Sequence, residues 1–308
     1  MTVVPPAPLL PIRLLALDID GTLVGDDLIL RDRTRHAVTA ARRNGVHVSL
    51  VTARMASSAR GFAETCGLDD PLVAYQGAVI RAMPVPGSRS PGRLLVHRPL
   101  SAAVAREAIL WSKARGLDPH INHLERFIIR DDDPMAEDYS AFLGARAELV
   151  SDIAEAARHP ISKVMVVGDE ASIASALGPA REAFAGRAEA TISHPRFLEF
   201  VAPGVTKGTA VRWLARHHRV RLGAVLAIGD QYNDLSMVEA VGHGAAMPSA
   251  PASVQMAARY ISRPLAVEGA ARLIEDLVLA GPRAAAQAAR RLEEETRASR
   301  AVLAATAP

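Results

Sequence analysis

Leu14-Leu15-Ala16-Leu17-Asp18-Ile19-Asp20-Gly21-Thr22 is the stretch from which the fold of this 308-residue chain is read. Its apolar run is of the kind a fully buried parallel strand needs. The run ends in two carboxylates, and Asp-Gly follows at once as a turn signal, because glycine adopts backbone angles that other residues avoid. The two acids therefore stand just past the carboxyl end of a central strand, where open α/β sheets bind ligands. Two carboxylates so close repel each other, and burying them unpaired is costly. A divalent cation answers both problems, and hard Mg²⁺ prefers oxygen ligands. Without a cation the same residues would be a plain β-turn carrying two solvated acids.

Working outward, the strand at residues 12–18 leads through a loop at 24–30 into a helix. Leu30, Ala37, Val38 and Ala41 fall there at helical spacing, and Asn44-Gly45 supplies the stop. A second strand at 46–51 ends at Thr52, a helix covers 56–66, and 72–75 reads as a third strand. This alternation predicts an α/β fold, a Rossmann-like parallel-sheet core with helices on both faces. A breaker cluster from Pro84 to Gly92 interrupts it. Short strands and helices at 94–97, 101–115, 127–129, 161–167 and 188–192 then predict an inserted α+β unit. Beyond it Lys207 opens a helix containing Val211, Leu214 and Ala215, and Ala224-Val225-Leu226-Ala227-Ile228 is again a buried strand, ending in Gly229-Asp230. Residues 245–247 and 260–261 are weaker strands, and 270–279 a short helix. From Pro282 alanine alternates with Arg and Glu, the pattern of a solvated helix with i,i+4 pairs and no wide apolar stripe. The expected division is an N-terminal tail at 1–11, a discontinuous core at 12–82 and 197–280, an insert at 83–196 and a helical tail at 281–308.

Composition narrows the function classes. Apolar residues make up 49% and charged ones 22%, a globular balance with material for a sizeable core. The net charge of +3, 36 basic against 33 acidic residues, comes without a dense Lys/Arg run, so no nucleic-acid partner is expected. The single cysteine, Cys66, allows no internal disulfide and suits a reducing cytosol. The proline-rich N-terminus lacks a signal-peptide pattern, and no apolar run is long enough to span a membrane. The expectation is a cytoplasmic protein without a membrane partner, as a monomer or homodimer.

Four local signals converge on one site. Asp18 and Asp20 end one strand, and Thr52 ends another just before a helix whose free N–H groups favour an anion. Lys207 lies in Gly204-Val205-Thr206-Lys207-Gly208, with Thr206 as N-cap. Gly229-Asp230-Gln231-Tyr232-Asn233-Asp234 ends the later strand with two more carboxylates. A hydroxyl, a lysine, an anion nest and several carboxylates on one sheet edge describe a site for a phosphoryl group and Mg²⁺.

In this order, Asp18-x-Asp20-Gly21-Thr22, Thr52, Lys207 and Gly229-Asp230-x-x-Asn233-Asp234, the chain resembles the haloacid dehalogenase superfamily. The long insert is similar to the α/β cap of its Cof-like branch, subclass IIB. Two departures stand out: Thr52-Ala53-Arg54 replaces the usual Thr-Gly-Arg, and Tyr75-Gln76-Gly77-Ala78 the usual Asn-Gly-Ala. The resemblance implies a Mg²⁺-dependent phosphomonoesterase acting on a small-molecule phosphomonoester, with sugar phosphates foremost. It implies Asp18 as nucleophile forming an aspartyl-phosphate, and Asp20 as general acid and then base. It further implies Asp18, Asp20, Asp230 and Asp234 as metal-site residues, and Gly21, Thr52, Lys207 and Asn233 as holders of the phosphoryl oxygens. Asp234 would orient metal-bound water or Lys207. A phosphomutase of the same branch shares all four motifs, and a catalytically silent phosphate-binding protein is a third reading.

Candidates for reading the rest of the substrate are Arg54, Gln76, His120 and His123. The spacing of the two histidines could also bind zinc, although one pair without further ligands is a weak signal. Asp131-Asp132-Asp133 reads as a solvated loop, His217-His218 as the exposed end of a helix, Trp111 and Trp213 as core, and Cys66 as a helix residue and not a nucleophile.

Overall fold

The structure, a computed structural model, describes residues 10–133, 140 and 146–306. Residues 1–9 of the N-terminal tail lie outside them. In chain order the strands are β1 (Leu14–Leu17), β2 (His47–Leu50), β3 (Leu72–Ala74), β4 (Val79–Arg81) and β5 (Leu94–His97). Then follow β6 (Asp118–His123), β7 (Arg126–Arg130), β8 (Glu148–Val150), β9 (Lys163–Val167), β10 (Glu189–His194) and β11 (Phe197–Val201). The last three are β12 (Val225–Gly229), β13 (His243–Ala246) and β14 (Tyr260–Ile261).

β1 lies inside a parallel sheet of order β14-β13-β12-β1-β2, in which Leu14 to Leu17 face Val225 to Ile228 on one side and His47 to Leu50 on the other. All four residues of β1 are fully buried, as a strand covered by helices on both faces requires. Beside β2 a single bridge, Val51 to Val73, joins this sheet to the antiparallel set β3-β4-β5. The sequence placed Leu94–His97 inside the insert, but β5 pairs with β4 and so belongs to this side of the molecule.

The inserted sheet has the order β10-β11-β9-β6-β7-β8, antiparallel except for the β7–β8 pair. The sequence assigned residues from 197 onward to the core, whereas β11 pairs with both β9 and β10. The inserted sheet therefore runs to Val201. β6 is a strand that the sequence does not announce, because Pro119 interrupts its polar–apolar alternation. One face of this sheet, with Ile121, Val164, Val166, Leu198 and Phe200, packs on the helices Ala102–Lys113 and Glu170–Ala183. Strand alternation turns Asn122, Lys163, Met165 and Glu199 to the other face, where Phe127, Ile129, Met165 and Val167 join the main apolar cluster of the molecule.

The C-terminal helix, Pro282–Thr306, departs from the reading of a purely solvated tail. Ala288, Ala289, Leu292 and Thr296 are buried, and the Thr296 hydroxyl accepts the Ile261 N–H of edge strand β14 at 2.8 Å. The helix thus covers a sheet edge that would otherwise present unpaired backbone groups. Among the described residues no helix is long and apolar enough to cross a membrane. Replacing Leu292 by Ala is expected to cost about 2–4 kcal/mol through the cavity it leaves. Urea unfolding checks this, and a cost below about 0.5 kcal/mol, ordinary for a surface change, would mean that the helix is not docked.

Candidate active site

Parallel pairing of β1 with β12 sets Leu17 opposite Ile228, so Asp18 and Asp230 leave neighbouring strands at the same edge. The Asp18 N–H donates to Ile228 O at 3.1 Å. Lys207 reaches this edge from the first position of the helix Lys207–His217. Thr206 is its N-cap, its hydroxyl accepting the Thr209 N–H at 3.1 Å while the Thr209 hydroxyl accepts the Thr206 N–H at 3.0 Å. The Lys207 side chain is fully buried, its Nζ 2.7 Å from Asp18 Oδ1 and 2.6 Å from Asp234 Oδ1. Asp234 Oδ2 accepts the N–H groups of Asp230 and Gln231, each at 2.9 Å. The Thr22 hydroxyl donates to Asp230 Oδ1 at 2.8 Å. Gly21 has φ of 75°, and a Cβ there would stand 2.1 Å from Asp230 Oδ2, so only glycine fits the turn.

The charge balance is uneven. Ligating oxygens of Asp18, Asp230 and Asp234 lie within 4.8 Å of one another, with one ammonium among them. Burial raises the Asp18 carboxyl well above the carboxylate range; Lys207 opposes this, and Asp234, Asp230 and Asp20 add to it. Burial, followed by Asp234, pushes Asp230 up to about 7. Lys207 is held protonated despite its burial, because Asp18 and Asp234 face it. An all-oxygen donor set with excess buried negative charge fits a hard divalent cation such as Mg²⁺. Asp18 and Asp230 would hold it. Asp234 already spends both oxygens on Lys207 and two amides, which favours its expected part in orienting Lys207 over direct ligation.

The other predicted residues are placed differently. Asp20 turns to Arg54, whose Nε and Nη2 donate to its two oxygens at 2.7 and 2.5 Å. Arg54 is itself buried and donates to Ser58 Oγ at 3.1 Å. Thr52 is buried and its Oγ accepts the Arg54 N–H at 3.1 Å. The following helix begins only at Ala56, so Thr52 stands before the intervening turn and not on the helix end itself. Asn233 donates to Gln76 Oε1 at 3.0 Å, and Gln76 donates to Glu199 Oε2 at 2.7 Å. Gln76 therefore meets both the motif around Asp230 and the inserted sheet. It does so from a left-handed backbone, with Tyr75 at φ 49° and Gln76 at φ 61°, conformations that cost energy for residues other than glycine.

His120 and His123 are not brought to this cluster by any bond the structure describes. His120 is fully buried, its Nε2 3.1 Å from both Asp118 and Asp133. His123 tilts against the His97 ring at 5.5 Å. Asp133, read as part of a solvated loop, is correspondingly buried, because it meets His120. Cys66 is buried and its thiol is pushed up to about 11 by burial, which suits a structural residue.

Two further residues complete the arrangement: Lys163, one of the cationic groups that the insert offers toward the substrate, and Glu199, which nothing in the sequence reading singled out. Glu199 accepts from Lys163 Nζ, Ser193 Oγ and Gln76 Nε2, each at 2.7 Å. Lys163 also donates to Ala53 O at 2.9 Å, beside Thr52. An acid in the otherwise apolar run Phe197-Leu198-Glu199-Phe200-Val201 was the available signal. A cavity of about 340 Å³ next to this network is lined by Gln76, Thr191, Thr206, Lys207, Tyr232 and Asn233, among others.

The carboxyl of Asp230 titrates near 7 in the folded chain and near the ordinary carboxylate value when unfolded, so the folded state binds more protons between these limits. Stability of the chelator-treated protein is accordingly expected to fall as pH rises from about 4 to 7. Asp230→Asn should flatten that slope in a pH series of thermal melts. A wild-type slope unchanged in the variant would overturn this account of the cluster.

Comparison with known proteins gives a consistent outcome. The pattern of the haloacid dehalogenase-like hydrolases matches residues 15–274. HMP-PP phosphatase of Cronobacter sakazakii is 29% identical over 241 residues, 77% of this chain and 85% of that protein. 5-Amino-6-(5-phospho-D-ribitylamino)uracil phosphatase YitU of Bacillus subtilis is 24% identical over 276 residues, covering 85% and 96%. Among solved structures, a haloacid dehalogenase-like hydrolase from B. subtilis superposes with a TM-score of 0.75 at 19% identity, covering 87% of this chain and all of the other. The HAD subclass IIB sugar phosphatase BT4131 superposes with a TM-score of 0.70 at 19% identity, covering 85% and 98%.

Proposed function

Because the chain belongs to the haloacid dehalogenase-like hydrolase family, we propose that it is a phosphomonoesterase for small phosphorylated metabolites, sugar phosphates foremost. The observation that carries this reading is the buried Asp18 at the strand end, held by Lys207 beside Asp230. Asp18 is the nucleophile, forming an aspartyl-phosphate and splitting one displacement into two. Lys207 orients Asp18 and opposes the rise that burial imposes on its carboxyl, and its remaining N–H is available to a phosphoryl oxygen. Thr52 and the amides near Gly21 hold the other phosphoryl oxygens. Asp20 protonates the leaving alcohol and then takes a proton from the attacking water. Arg54 positions Asp20, and its fork on the carboxylate must loosen for Asp20 to accept a proton. Asp18, Asp230 and the Asp20 backbone carbonyl would hold Mg²⁺, which when bound neutralises charge on the transferring oxygens.

Support for a sugar-like leaving group comes from the polar network of Gln76, Asn233, Glu199 and Lys163. These groups match hydroxyls, and the fold is shared with a subclass IIB sugar phosphatase. A phosphate-release screen over some tens of phosphometabolites, with Asp18→Asn as the blank, tests both parts. Asp18→Asn is expected to abolish turnover while remaining folded, and activity within tenfold of wild type would rule out the covalent route. A clear preference for nucleoside monophosphates would sink the sugar reading. Chelation should stop turnover and Mg²⁺ restore it, with Ca²⁺ a poor substitute.

Asp20→Asn should lower turnover of alkyl phosphates by about 10²–10⁴-fold. An aryl phosphate with a strongly acidic leaving group should lose much less in the first step, since it departs without a proton. Equal losses on both substrates, in single-turnover release of the alcohol or phenol, would remove Asp20 from the acid role.

A further inference from the structure

The sheet carries a second group of ligating side chains at the edge opposite Asp18. His47 opens β2 opposite Leu14, the first residue of β1, whereas Asp18 follows the last. Its Nδ1 lies 3.0 Å from Oδ1 of Asp70, which precedes β3. His218, directly after the helix Lys207–His217, places Nε2 3.5 Å from the same oxygen. The two imidazole rings stack with centroids 3.8 Å apart. Asp70 Oδ2 is fixed separately by the Val48 N–H at 2.7 Å, which leaves Oδ1 as the shared point of the two histidines.

This group is not a solvated helix end. The His218 side chain is only 8% exposed, and its Nε2 is buried without a hydrogen-bond partner. A ring nitrogen aimed at a carboxylate but beyond good bonding distance is an unsatisfied polar atom, which folded proteins rarely keep. His47, at 40% side-chain exposure, keeps one side of the group open to solvent. The three ligand atoms lie within 4.8 Å of one another. Donors around a tetrahedral ion with bonds of about 2.1 Å are separated by roughly 3.4 Å, so small side-chain adjustments suffice.

We propose that His47, Asp70 and His218 form a binding site for a divalent transition-metal ion, Zn²⁺ being the best match. Two imidazoles and one carboxylate suit Zn²⁺ and its neighbours in the series, whereas Mg²⁺ and Ca²⁺ take all-oxygen sets such as that around Asp18. Three protein ligands leave the fourth position to water on the open side. The ion ties together the start of β2, the segment before β3 and the C-terminal end of the helix that begins with Lys207. Eleven residues of helix separate the two ends, roughly 16 Å at 1.5 Å per residue. The site therefore anchors the far end of the element that delivers the catalytic-edge lysine, without touching that edge.

The test is calorimetric titration of the metal-stripped full chain with Zn²⁺ in excess Mg²⁺, which occupies the oxygen-only site. One equivalent should bind to wild type and to Asp230→Asn. His218→Ala and Asp70→Asn should each weaken binding by at least about tenfold. X-ray absorption of the wild-type Zn²⁺ complex should show imidazole scattering, a readout that stands even if a variant fails to fold. Absence of Zn²⁺ binding by the wild type overturns the proposal. So does an oxygen-only absorption spectrum, or Zn²⁺ binding unchanged in both His218→Ala and Asp70→Asn, which would place the ion elsewhere, at Asp230 or at Asp118, His120 and Asp133.

Discussion

Gathering three carboxylates, two of them buried, around one ammonium group is the constraint on which the rest of this structure depends. Asp18, Asp230 and Asp234 meet at one sheet edge with Lys207 as the cation they share. Lys207 spends two N–H donors on Asp18 and Asp234, and Asp234 returns both of its oxygens to Lys207 and the backbone. That leaves Asp18 and Asp230 as the under-compensated pair, each raised first by burial and then by the nearby Asp234. Stability is thereby given up locally, as a dry, preorganised setting for the proposed nucleophile and cation would require.

The backbone is shaped to meet that constraint. Two parallel strands in register bring Asp18 and Asp230 to one level, which hairpin-joined strands of opposite direction could not do. The helix Lys207–His217 approaches the helix Leu235–Ala240 so closely that a Cβ on Gly208 would stand 2.3 Å from Ser236 O. Glycine at that position is what lets Lys207 come within bonding distance of Asp234. The local choices and the global arrangement point the same way, as expected of a sequence that specifies one fold.

Asp18, Lys207, Asp230 and Asp234 were legible because each sits at a strand end or helix start, where short-range signals such as an apolar run, Asp-Gly or an N-cap threonine mark the place. What those signals cannot supply is the partner. Nothing local tells that Arg54 grips Asp20, or that Gln76 bonds Glu199 across 123 positions. Polar residues in a loop or at a helix end read as solvated, and that reading fails for Asp133 and His218, whose partners His120 and Asp70 lie elsewhere in the sequence. The same limit misplaced the insert's edge. Phe197–Val201 looks like any apolar strand, and only pairing with β9 and β10 assigns it. The C-terminal helix was underrated because alanines at 288 and 289 make a shallow but sufficient docking face.

The link between the inserted sheet and the core is polar where an apolar one would serve stability as well. Lys163 and Glu199 form an ion pair at 4% and 1% side-chain exposure, and exchanging such a pair for packed apolar groups is often neutral or stabilising. Its value must lie in what it positions. Lys163 grips Ala53 O next to Thr52, and Glu199 holds Gln76, which in turn receives a bond from Asn233. Asn233 Oδ1 is buried and accepts no bond in this arrangement. An unmet buried acceptor carries a cost that a hydroxyl donor would relieve and a methylene would not. On the proposed function, the network that fastens the insert is therefore also the one that ranks leaving groups. Under that reading a substrate hydroxyl at Asn233 would engage the chain that runs through Gln76 and Glu199 to Lys163, and the recognition of the leaving group and the seating of the insert would share a single set of hydrogen bonds.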